Sequence, residues 1–565
     1  MRRFGPLVAV ASLLAVAATT PAGAQDIIGS RDSLTTRVDN VFRAFDRTDG
    51  PGCAVGVYRD GRILYARGYG MANLEQSIAI TPRTVFDIGS ISKQFTAMAV
   101  ELLAQDGRVR LDDPVRRIIP ELPAYADSIS LRRLLSHTSG VRDYLTLMAL
   151  AGWNFEGFAD SVDFLRVTTR QQATNFPIGT RWLYSNSGYV LAATLVYRVS
   201  GLPLPRFTGE RILAPLGMDD SRFHYDHGQI IPRRAQGYAP QGGGGFRIAS
   251  SQFDNNAGAG GMHSTVVDFA RWDRNYDSAT VGSRAILDEM QTRARLVNDS
   301  AVDYGFGLGI GTYRGLRAVS HGGSWAGYRA QYVRFPDQHL SVACFCNVTN
   351  AGPDTLAARV AEVYLGAAMG PDTATAWEQA LRSAPVVAAS LEQLQPLAGV
   401  WRNTELGEVR RTRMTGDTLQ LGIANRPRMI ALGERRFRLP SGTSEARFEH
   451  DSGGSPVRLI TRTRGGAVTW TRVPAAEPTA AQLAEYAGDY VSAELETTYA
   501  IEADSGKLMV RVRGRRLGAA WEPTYRDAFS SGSVYVDFQR DARGHIAGFT
   551  VSAGRVRDLR FARQR

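Results

Sequence analysis

Two residues that can do chemistry together stand three positions apart at a predicted strand-to-helix junction. Lys93 follows Ser90 by three residues, and positions i and i+3 share a face of a helix. A serine hydroxyl becomes a nucleophile when a neighbour takes its proton, and a neutral lysine amine at this spacing can do so. Because free lysine titrates at about 10.4, this chemistry needs burial or nearby positive charge. The pair predicts a lysine-activated serine, with a surface lysine on a helix as the alternative.

Lysine is almost absent from this chain. Of 66 Lys and Arg residues, only Lys93 and Lys507 are lysines. Arginine can replace lysine where only charge is wanted, but not where a side chain must give up its proton. The Gly-Lys pair at Lys507 continues into Leu508, so it is not a P-loop. The net charge of +11 is spread without basic blocks, and we therefore expect no nucleic-acid partner.

A second motif, Tyr184-Ser185-Asn186, offers a phenol and an amide two residues apart. In an extended or turning segment both side chains project to the same side. We expect Tyr184 to relay the proton from Ser90 to the leaving group, and Asn186 to hold the substrate carbonyl or the lysine. Taken alone, this motif is more typical of a tyrosine in a turn.

A third motif, His321-Gly322-Gly323-Ser324, is flanked by the strands that it would join. Glycines such as Gly323 would let a substrate lie against the strand edge. The N–H groups of Ser324 and Ser90 are expected to converge on the developing oxyanion. A single His-Gly-Gly segment is otherwise typical of a plain hairpin.

Together, in the order Ser-x-x-Lys, Tyr-x-Asn and His-x-Gly, these motifs resemble the serine β-lactamase-related superfamily. The resemblance is to the branch that contains class C β-lactamases, DD-peptidases, related esterases and D-aminopeptidases, peptidase family S12. Three further segments, at 135–141, 212–218 and 259–265, extend it across residues 35–367. It implies an α+β domain with an antiparallel sheet flanked by helices.

The resemblance also implies roles for individual residues. Ser90 would form an acyl-enzyme, while Lys93 and Tyr184 would share general-base and general-acid work. The backbone at Ser324 would complete the oxyanion hole. The substrate would be a small peptide, ester or amide, and no cofactor is implied.

The third motif departs from the Lys-Thr-Gly that β-lactamases and carboxypeptidases of the superfamily usually carry. That cation and hydroxyl bind a substrate carboxylate, and here His321 and Gly322 replace them. The missing charge-assisted hydrogen bonds are worth about 1.5–3 kcal/mol each. His-x-Gly instead resembles D-aminopeptidases and some esterases of the branch.

We therefore expect an exported serine hydrolase that releases N-terminal D-amino acids or cleaves related D-peptides. A carboxylesterase, or a β-lactamase or DD-carboxypeptidase of the same superfamily, is the alternative. A second alternative is a catalytically silent envelope-binding protein, which the three intact motifs disfavour. Fold-level similarity does not choose among these activities.

The length of 565 residues predicts about three domains. Alternation and helical spacing predict strands at 53–58, 62–69, 328–334 and 341–347 and helices at 92–105, 190–200 and 355–365. We place the β-lactamase-like hydrolase domain at 25–367. The Ala-, Pro- and Thr-rich segment 368–389 predicts a linker or a lone helix.

The last 175 residues or so contain an internal repeat. Residues 394–401 match residues 483–490 at an offset of 89, and both copies read as short strands with Gly and Asp turns. We predict two small antiparallel β-barrels, at 390–476 and 477–565, against the alternative of two halves of one sandwich. D-Aminopeptidases of the branch are described with two lipocalin-like barrels, and a barrel loop can reach their cleft. No segment of this sequence marks such a loop.

The N-terminus predicts a cleavable signal peptide at residues 1–24. Arg2 and Arg3 precede an apolar run at 7–18, and small residues at 22–24 precede Gln25. A membrane anchor needs about 20 apolar residues, and this run is shorter. We expect a secreted or periplasmic protein with no transmembrane segment after cleavage.

Three cysteines, Cys53, Cys344 and Cys346, cannot make a disulfide framework, and none has zinc-ligand spacing. Cys344 and Cys346 stand two apart in a predicted strand, where their sulfur atoms are poorly placed to pair. We therefore expect no structural metal.

Overall fold

The computed structural model describes residues 27–564 except 30–31, 227, 250, 252–257, 423–427, 434 and 464–465. The predicted signal peptide, residues 1–24, lies outside the described residues. None of the helices in the described part of the chain combines the length and the apolar character needed to span a bilayer.

An antiparallel sheet forms the centre of the first part of the chain. The strands described there are, in chain order, β1 (Cys53–Arg59), β2 (Arg62–Tyr69), β3 (Met71–Asn73), β4 (Ile78–Ala79), β5 (Phe86–Asp87), β6 (Arg222–Phe223), β7 (Tyr238–Pro240), β8 (Phe246–Ile248), β9 (Met262–Ser264), β10 (Gly309–Tyr313), β11 (Leu316–Trp325), β12 (Tyr328–Phe335) and β13 (Leu340–Cys346). Among the described residues, six of them form this sheet in the order β10-β11-β12-β13-β1-β2. The four strands predicted from alternation match β1, β2, β12 and β13 to within one residue at each end.

Helices cover both faces of this sheet. In chain order the described helices are α1 (Ser33–Phe42), α2 (Lys93–Gln105), α3 (Leu131–Leu135), α4 (Tyr144–Leu150), α5 (Ser161–Thr169), α6 (Asn186–Ser200), α7 (Leu204–Thr208), α8 (Ala214–Leu216), α9 (Val266–Ser278), α10 (Arg284–Met290), α11 (Pro353–Leu365), α12 (Thr373–Ser383), α13 (Leu391–Leu394) and α14 (Ala480–Ala484). Because α11 packs on one face and α9 on the other, every residue of β13 is buried. The segment predicted as a linker or lone helix holds α12.

The tail of the chain forms two further antiparallel sheets. The strands of the first tail sheet are β14 (Gly399–Asn403), β15 (Glu408–Thr415), β16 (Thr418–Leu421), β17 (Ile430–Gly433), β18 (Arg436–Arg438), β19 (Ser444–His450), β20 (Pro456–Thr463) and β21 (Gly466–Val473). Those of the second are β22 (Gly488–Ser492), β23 (Thr497–Asp504), β24 (Lys507–Val512), β25 (Arg515–Arg516), β26 (Glu522–Pro523), β27 (Ala528–Ser531), β28 (Val534–Arg540), β29 (Ile546–Ala553) and β30 (Val556–Arg563).

Each tail sheet curls around its own apolar core. Trp401 lies at 0% exposure in the first core and Tyr490 at 0% in the second, and these are matching positions of the sequence repeat. The curled edges meet through a bridge between Gln420 and Arg428 in the first sheet. The α+β fold with two small antiparallel tail sheets confirms the predicted fold class. The domain limits at 367, 389 and 476 stay predictions.

The second tail sheet packs against the first part of the chain. Leu147 and Leu150 of α4 lie in the same apolar cluster as the core of that sheet. The Tyr499 hydroxyl donates to the Leu150 carbonyl at 2.6 Å. Beside them Arg142 and Glu494 form a buried ion pair at 2.7 Å. Helix α4 therefore fixes the second tail sheet against the first part of the chain.

One disulfide joins Cys53 of β1 to Cys346 of β13, 293 residues apart in sequence. These two residues are direct partners in the β1–β13 register. This pairing was not predicted from sequence, because the order of strands in the sheet creates the contact and spacing along the chain does not.

Candidate active site

Ser90 lies in the 3₁₀ turn Gly89–Ser92, between β5 and α2. The Asp87 carboxylate accepts a hydrogen bond from the Gly89 N–H at 2.7 Å, and the Ser92 hydroxyl donates to the Gly89 carbonyl at 2.5 Å. Gly89 has φ +52°, a left-handed conformation that suits glycine. The turn holds Ser90 at the N-terminal end of α2, where its side chain is partly exposed to a cavity.

Lys93 is the first residue of α2 and is completely buried beneath Ser90. Its Nζ lies 3.1 Å from Ser90 Oγ, 2.9 Å from Asn186 Oδ1 and 2.5 Å from the Ala259 carbonyl oxygen. An amide oxygen and a carbonyl oxygen can only accept, so each takes one N–H of the amine. In the neutral amine, the lone pair then faces Ser90 Oγ, which can donate to it. The geometry therefore suits transfer of the serine proton to the lysine.

Burial lowers the pKa of Lys93 well below its usual value, and the positive charge of Arg555 lowers this pKa further. Asp143 acts in the opposite direction. The desolvation cost of a buried ammonium is the larger effect, so the neutral amine is favoured.

Asn186 is held by Asp143, a residue that the sequence analysis did not select. Asp143 Oδ2 accepts hydrogen bonds from the backbone N–H of Asn186 at 2.8 Å and from its Nδ2 at 2.9 Å. This fixes the amide so that Oδ1 faces Lys93. The same contact places Asn186 at the start of α6 and not in the extended or turning segment expected from sequence, because the carboxylate satisfies an N–H at the helix terminus.

Tyr184 lies two residues before α6, with its ring 4.9 Å from Lys93 Nζ. Burial raises the pKa of its phenol above the usual value, while the nearby hydroxyl of Ser90 and the charge of Arg555 lower it in part. The hydroxyl is buried and forms no well-aligned hydrogen bond with any described residue. Tyr184 is therefore protonated at neutral pH, and its phenol lies near the Ser90 hydroxyl.

The third motif lies inside β11 and is not the connection between strands that was expected. Gly323 pairs with Ala330 of β12, so the hairpin turns only after Trp325. A Cβ on Gly323 would lie 1.9 Å from the Ile88 carbonyl oxygen, and one on Gly89 would lie 2.6 Å from the Ser324 nitrogen. The glycines therefore let β11 approach the turn that carries Ser90, which places the Ser324 amide beside it.

His321 is neutral in this site. Its Nδ1 donates to the Gly322 carbonyl at 2.7 Å, and its Nε2 accepts from the Tyr304 hydroxyl at 2.9 Å. Burial, with a smaller effect from Lys93, lowers the pKa of His321 to about 4. The third motif thus supplies no positive charge for a substrate near neutral pH.

One cavity of about 560 Å³ brings the predicted residues together. It is lined by Ser90, Tyr184, Asn186, His321, Gly323 and Ser324, with Lys93 buried underneath. Asp354 and Arg555 also line it. The roles assigned to these residues stay predictions. Their arrangement is compatible with a nucleophile, a base, an acid and a pair of backbone donors.

The beta-lactamase family matches residues 38–365, more than half of the chain. The chain belongs to the beta-lactamase family. A D-aminopeptidase of Cereibacter sphaeroides is 27% identical over 558 residues, covering 94% of this chain and all of the relative. These findings confirm the family resemblance and the predicted enzyme class, a serine hydrolase.

Two solved structures share the fold of this beta-lactamase family member. The octameric penicillin-binding protein homologue of Pyrococcus abyssi has a TM-score of 0.55 at 21% identity, covering 86% of this chain and 98% of its own. The D-amino acid amidase of Ochrobactrum anthropi has a TM-score of 0.52 at 23% identity, covering 60% of this chain and all of its own.

The three cysteines form the one group of at least three potential metal ligands found among the described residues. The disulfide uses Cys53 and Cys346, so only the thiol of Cys344 remains. Burial raises the pKa of this thiol. None of the three cysteines lines the cavity that contains Ser90.

Sequence reasoning missed Asp143, Tyr304, Asp354 and Arg555. Asp143 follows a segment that carries the family resemblance, so proximity to that segment was an available signal. No sequence signal pointed to Arg555, since it reaches the cavity from the second tail sheet, 465 positions after Ser90.

Proposed function

We propose that this protein is an exported serine hydrolase that acylates Ser90 and releases N-terminal D-amino acids from small peptides and amides. The observation that carries the proposal is the position of Lys93 Nζ, 3.1 Å from Ser90 Oγ and oriented by two carbonyl-type acceptors. That contact gives a serine the neutral base it needs in order to attack a carbonyl carbon.

In the acylation step, the Ser90 proton passes to the Lys93 amine as Oγ bonds to the substrate carbonyl carbon. The oxyanion receives hydrogen bonds from the backbone N–H groups of Ser90 and Ser324. Tyr184 gives its proton to the leaving nitrogen and regains one from the Lys93 ammonium, so the C–N bond breaks with the amine neutral. Water then cleaves the ester on Ser90 by the reverse proton path and restores the free hydroxyl.

Similarity over nearly the full length of both chains supports D-aminoacyl substrates, because the relative that matches 94% of this chain is named D-aminopeptidase. An N-terminal substrate carries an ammonium group next to the scissile carbonyl. Asp354, exposed at the N-terminal end of α11, contributes the single carboxylate among the described residues that line the cavity. Its charge suits that ammonium.

A substrate panel tests the activity. D-Alanyl p-nitroanilide, p-nitrophenyl acetate and nitrocefin distinguish aminopeptidase, esterase and β-lactamase turnover, and L-alanyl p-nitroanilide tests the stereochemistry. We expect the D-anilide to be turned over best. Turnover of the ester alone would reject the peptidase proposal.

Intact-mass spectrometry tests the covalent step. We expect a fluorophosphonate or substrate adduct on the wild-type protein and none on Ser90→Ala. If the wild-type protein forms no adduct with any probe, the envelope-binding alternative is favoured.

We also propose export, on the basis of the signal-like residues 1–24. The disulfide between Cys53 and Cys346 supports an oxidising compartment. Fractionation of expressing cells followed by N-terminal sequencing tests this, and we expect a chain that starts at Gln25 outside the cytoplasm. A cytoplasmic chain that retains Arg2 would contradict it.

A further inference from the structure

Arg555 brings a positive charge from the second tail sheet into the catalytic cavity. It lies at the tip of the hairpin between β29 and β30 and lines the same cavity as Ser90 and Tyr184. Its guanidinium carbon lies 4.5 Å from the centre of the Tyr184 ring, and 42% of its side chain is exposed. The charge therefore faces the space that a substrate would occupy.

The hairpin is fixed on the first part of the chain by its backbone. Asn175 Nδ2 donates to the Arg555 carbonyl at 2.9 Å, and Asn175 Oδ1 accepts from the Arg557 N–H at 2.8 Å. The Asp558 carbonyl accepts from Arg142, which is itself buried in the ion pair with Glu494. Arg555 is thus held at the cavity by the docking of the whole sheet.

The guanidinium of Arg555 retains its capacity to bind an anion. Its nearest carboxylate, Asp143, lies at 3.7 Å, beyond hydrogen-bond distance, and already accepts hydrogen bonds from Asn186 and Thr146. The described residues offer the guanidinium no hydrogen-bond acceptor of their own. A guanidinium has five N–H donors in a planar fork that matches a carboxylate.

Arg555 lies on the leaving-group side of the scissile bond. Tyr184 gives its proton to the leaving nitrogen, and Arg555 stacks over the Tyr184 ring. The oxyanion donors lie where β11 approaches the turn of Ser90. In a released amino acid the carboxylate carbon is two bonds from the leaving nitrogen, at about 2.5 Å. A carboxylate on the leaving group therefore comes close to Arg555.

We propose that Arg555 binds the carboxylate of the amino acid that leaves when Ser90 is acylated, so that the preferred substrates are dipeptides with an N-terminal D-residue and a free C-terminus. This rests on the proposed function and narrows its substrate class. A second arginine that lines the cavity, Arg329, already donates to the carbonyls of Ala326 and Tyr328. The cation that the neutral His321 does not supply therefore comes from Arg555 of the tail sheet, and the tail selects substrates that are cleaved at their C-terminal peptide bond.

The test compares D-alanyl-glycine with D-alanyl-glycinamide, which differ in the C-terminal charge. We expect wild-type kcat/KM to favour the acid by at least tenfold, measured by quantifying the released glycine or glycinamide. In Arg555→Gln this ratio falls to about one, and in Arg555→Lys part of it returns. The charge of Arg555 also lowers the pKa of Lys93, so its loss slows the hydrolysis of both substrates. The ratio of the two kcat/KM values removes this common effect.

Arg560→Gln is the matched control, since Arg560 is exposed on β30 of the same hairpin and does not line the cavity. We expect it to leave the ratio unchanged. Equal losses on both substrates in Arg555→Gln, or a wild-type preference for glycinamide, overturn the proposal for Arg555. Turnover of D-alanyl p-nitroanilide then still supports the proposed function. If none of these D-alanyl substrates is cleaved by the wild-type protein, both proposals fall.

Discussion

At the scale of single residues, the two lysines of the chain provide a matched pair. Lys93 is buried against Ser90, whereas Lys507 is half exposed and pairs with Glu522. Arginine can replace the positive charge that pairs with Glu522, but it cannot act as a base in place of Lys93. We expect Lys93→Arg to lower kcat by about 10²–10⁴-fold, the usual contribution of a general base, and Lys507→Arg to keep wild-type kcat. Equal kcat in the two variants would contradict a proton-accepting role.

The pH dependence of kcat/KM should follow the neutral fraction of Lys93. Since burial and the charge of Arg555 lower the pKa of this amine, activity is expected to persist well below pH 10.5 and to fall only when the amine becomes protonated. Removing the Arg555 charge raises that pKa, so the acid limb of Arg555→Gln should move to higher pH. Initial rates across a pH series measure this shift. An acid limb that moves to lower pH, or stays in place, contradicts the coupling.

The chemistry of Ser90 and Lys93 could be predicted from sequence because their contact is local, three residues along one turn. Asp143 and Tyr304 could not, because each acts on a predicted residue through a contact that only the fold creates. Asp143 orients Asn186 across 43 positions, and Tyr304 fixes the ring of His321 across 17.

At the scale of elements, the closest approach in the site is that of β11 to the turn of Ser90. A Cβ on Gly323 would lie 1.9 Å from the Ile88 carbonyl oxygen, a backbone atom that cannot move away by a side-chain rotation. A Cβ on Gly322 would meet the mobile end of Gln331 at 3.1 Å. We expect Gly323→Ala to lower kcat/KM by about 10²-fold, because one misplaced ångström at a site has that cost. Gly322→Ala should stay within a few-fold of wild type.

Steady-state kinetics measure the loss of activity, and thermal unfolding shows whether a loss of stability contributes to it. The Ser324 amide shifts away from Ser90 in Gly323→Ala, so the loss should appear mainly in kcat. Similar kcat values for Gly323→Ala and Gly322→Ala would show that the approach of β11 does not position the oxyanion donors.

Hydrophobic periodicity predicted β1, β2, β12 and β13 well, because these strands are buried by helices and alternate or run apolar in sequence. It placed the start of α6 four residues late, since that terminus depends on Asp143. It also placed the third motif between strands, because glycines are typical of turns and their role here, close approach within a strand, depends on the neighbouring Ile88.

At the scale of the whole molecule, the repeat predicted two tail sheets, and the structure adds that the second sheet is part of the catalytic cavity. Nothing in the repeat distinguishes the hairpin of Arg555 from the matching hairpin of the first sheet. The difference arises where α4 contributes Leu147 and Leu150 to one core. Such docking is a property of complementary surfaces, which a single sequence does not display.

This docking should depend on Glu494 far more than on Glu496, although both face the first part of the chain. Glu494 is buried with Arg142 at 2.7 Å and also accepts from the Gln172 N–H. Glu496, at 48% exposure, pairs with Arg166 and Arg170 on the surface. Breaking a buried ion pair leaves a charge without its partner and costs about 3–5 kcal/mol, while an exposed pair contributes about 0–1 kcal/mol.

We therefore expect Glu494→Gln to lower the free energy of unfolding by roughly 3 kcal/mol in urea denaturation, and Glu496→Gln to change it by less than about 1 kcal/mol. Because Arg142 also donates to the backbone next to the hairpin of Arg555, a loosened sheet withdraws that charge from the cavity. Glu494→Gln should then reduce the ratio of kcat/KM between D-alanyl-glycine and D-alanyl-glycinamide in the same direction as Arg555→Gln, without any change inside the cavity itself. A variant that is destabilised but keeps the full ratio would show that the hairpin stays in place without the buried ion pair.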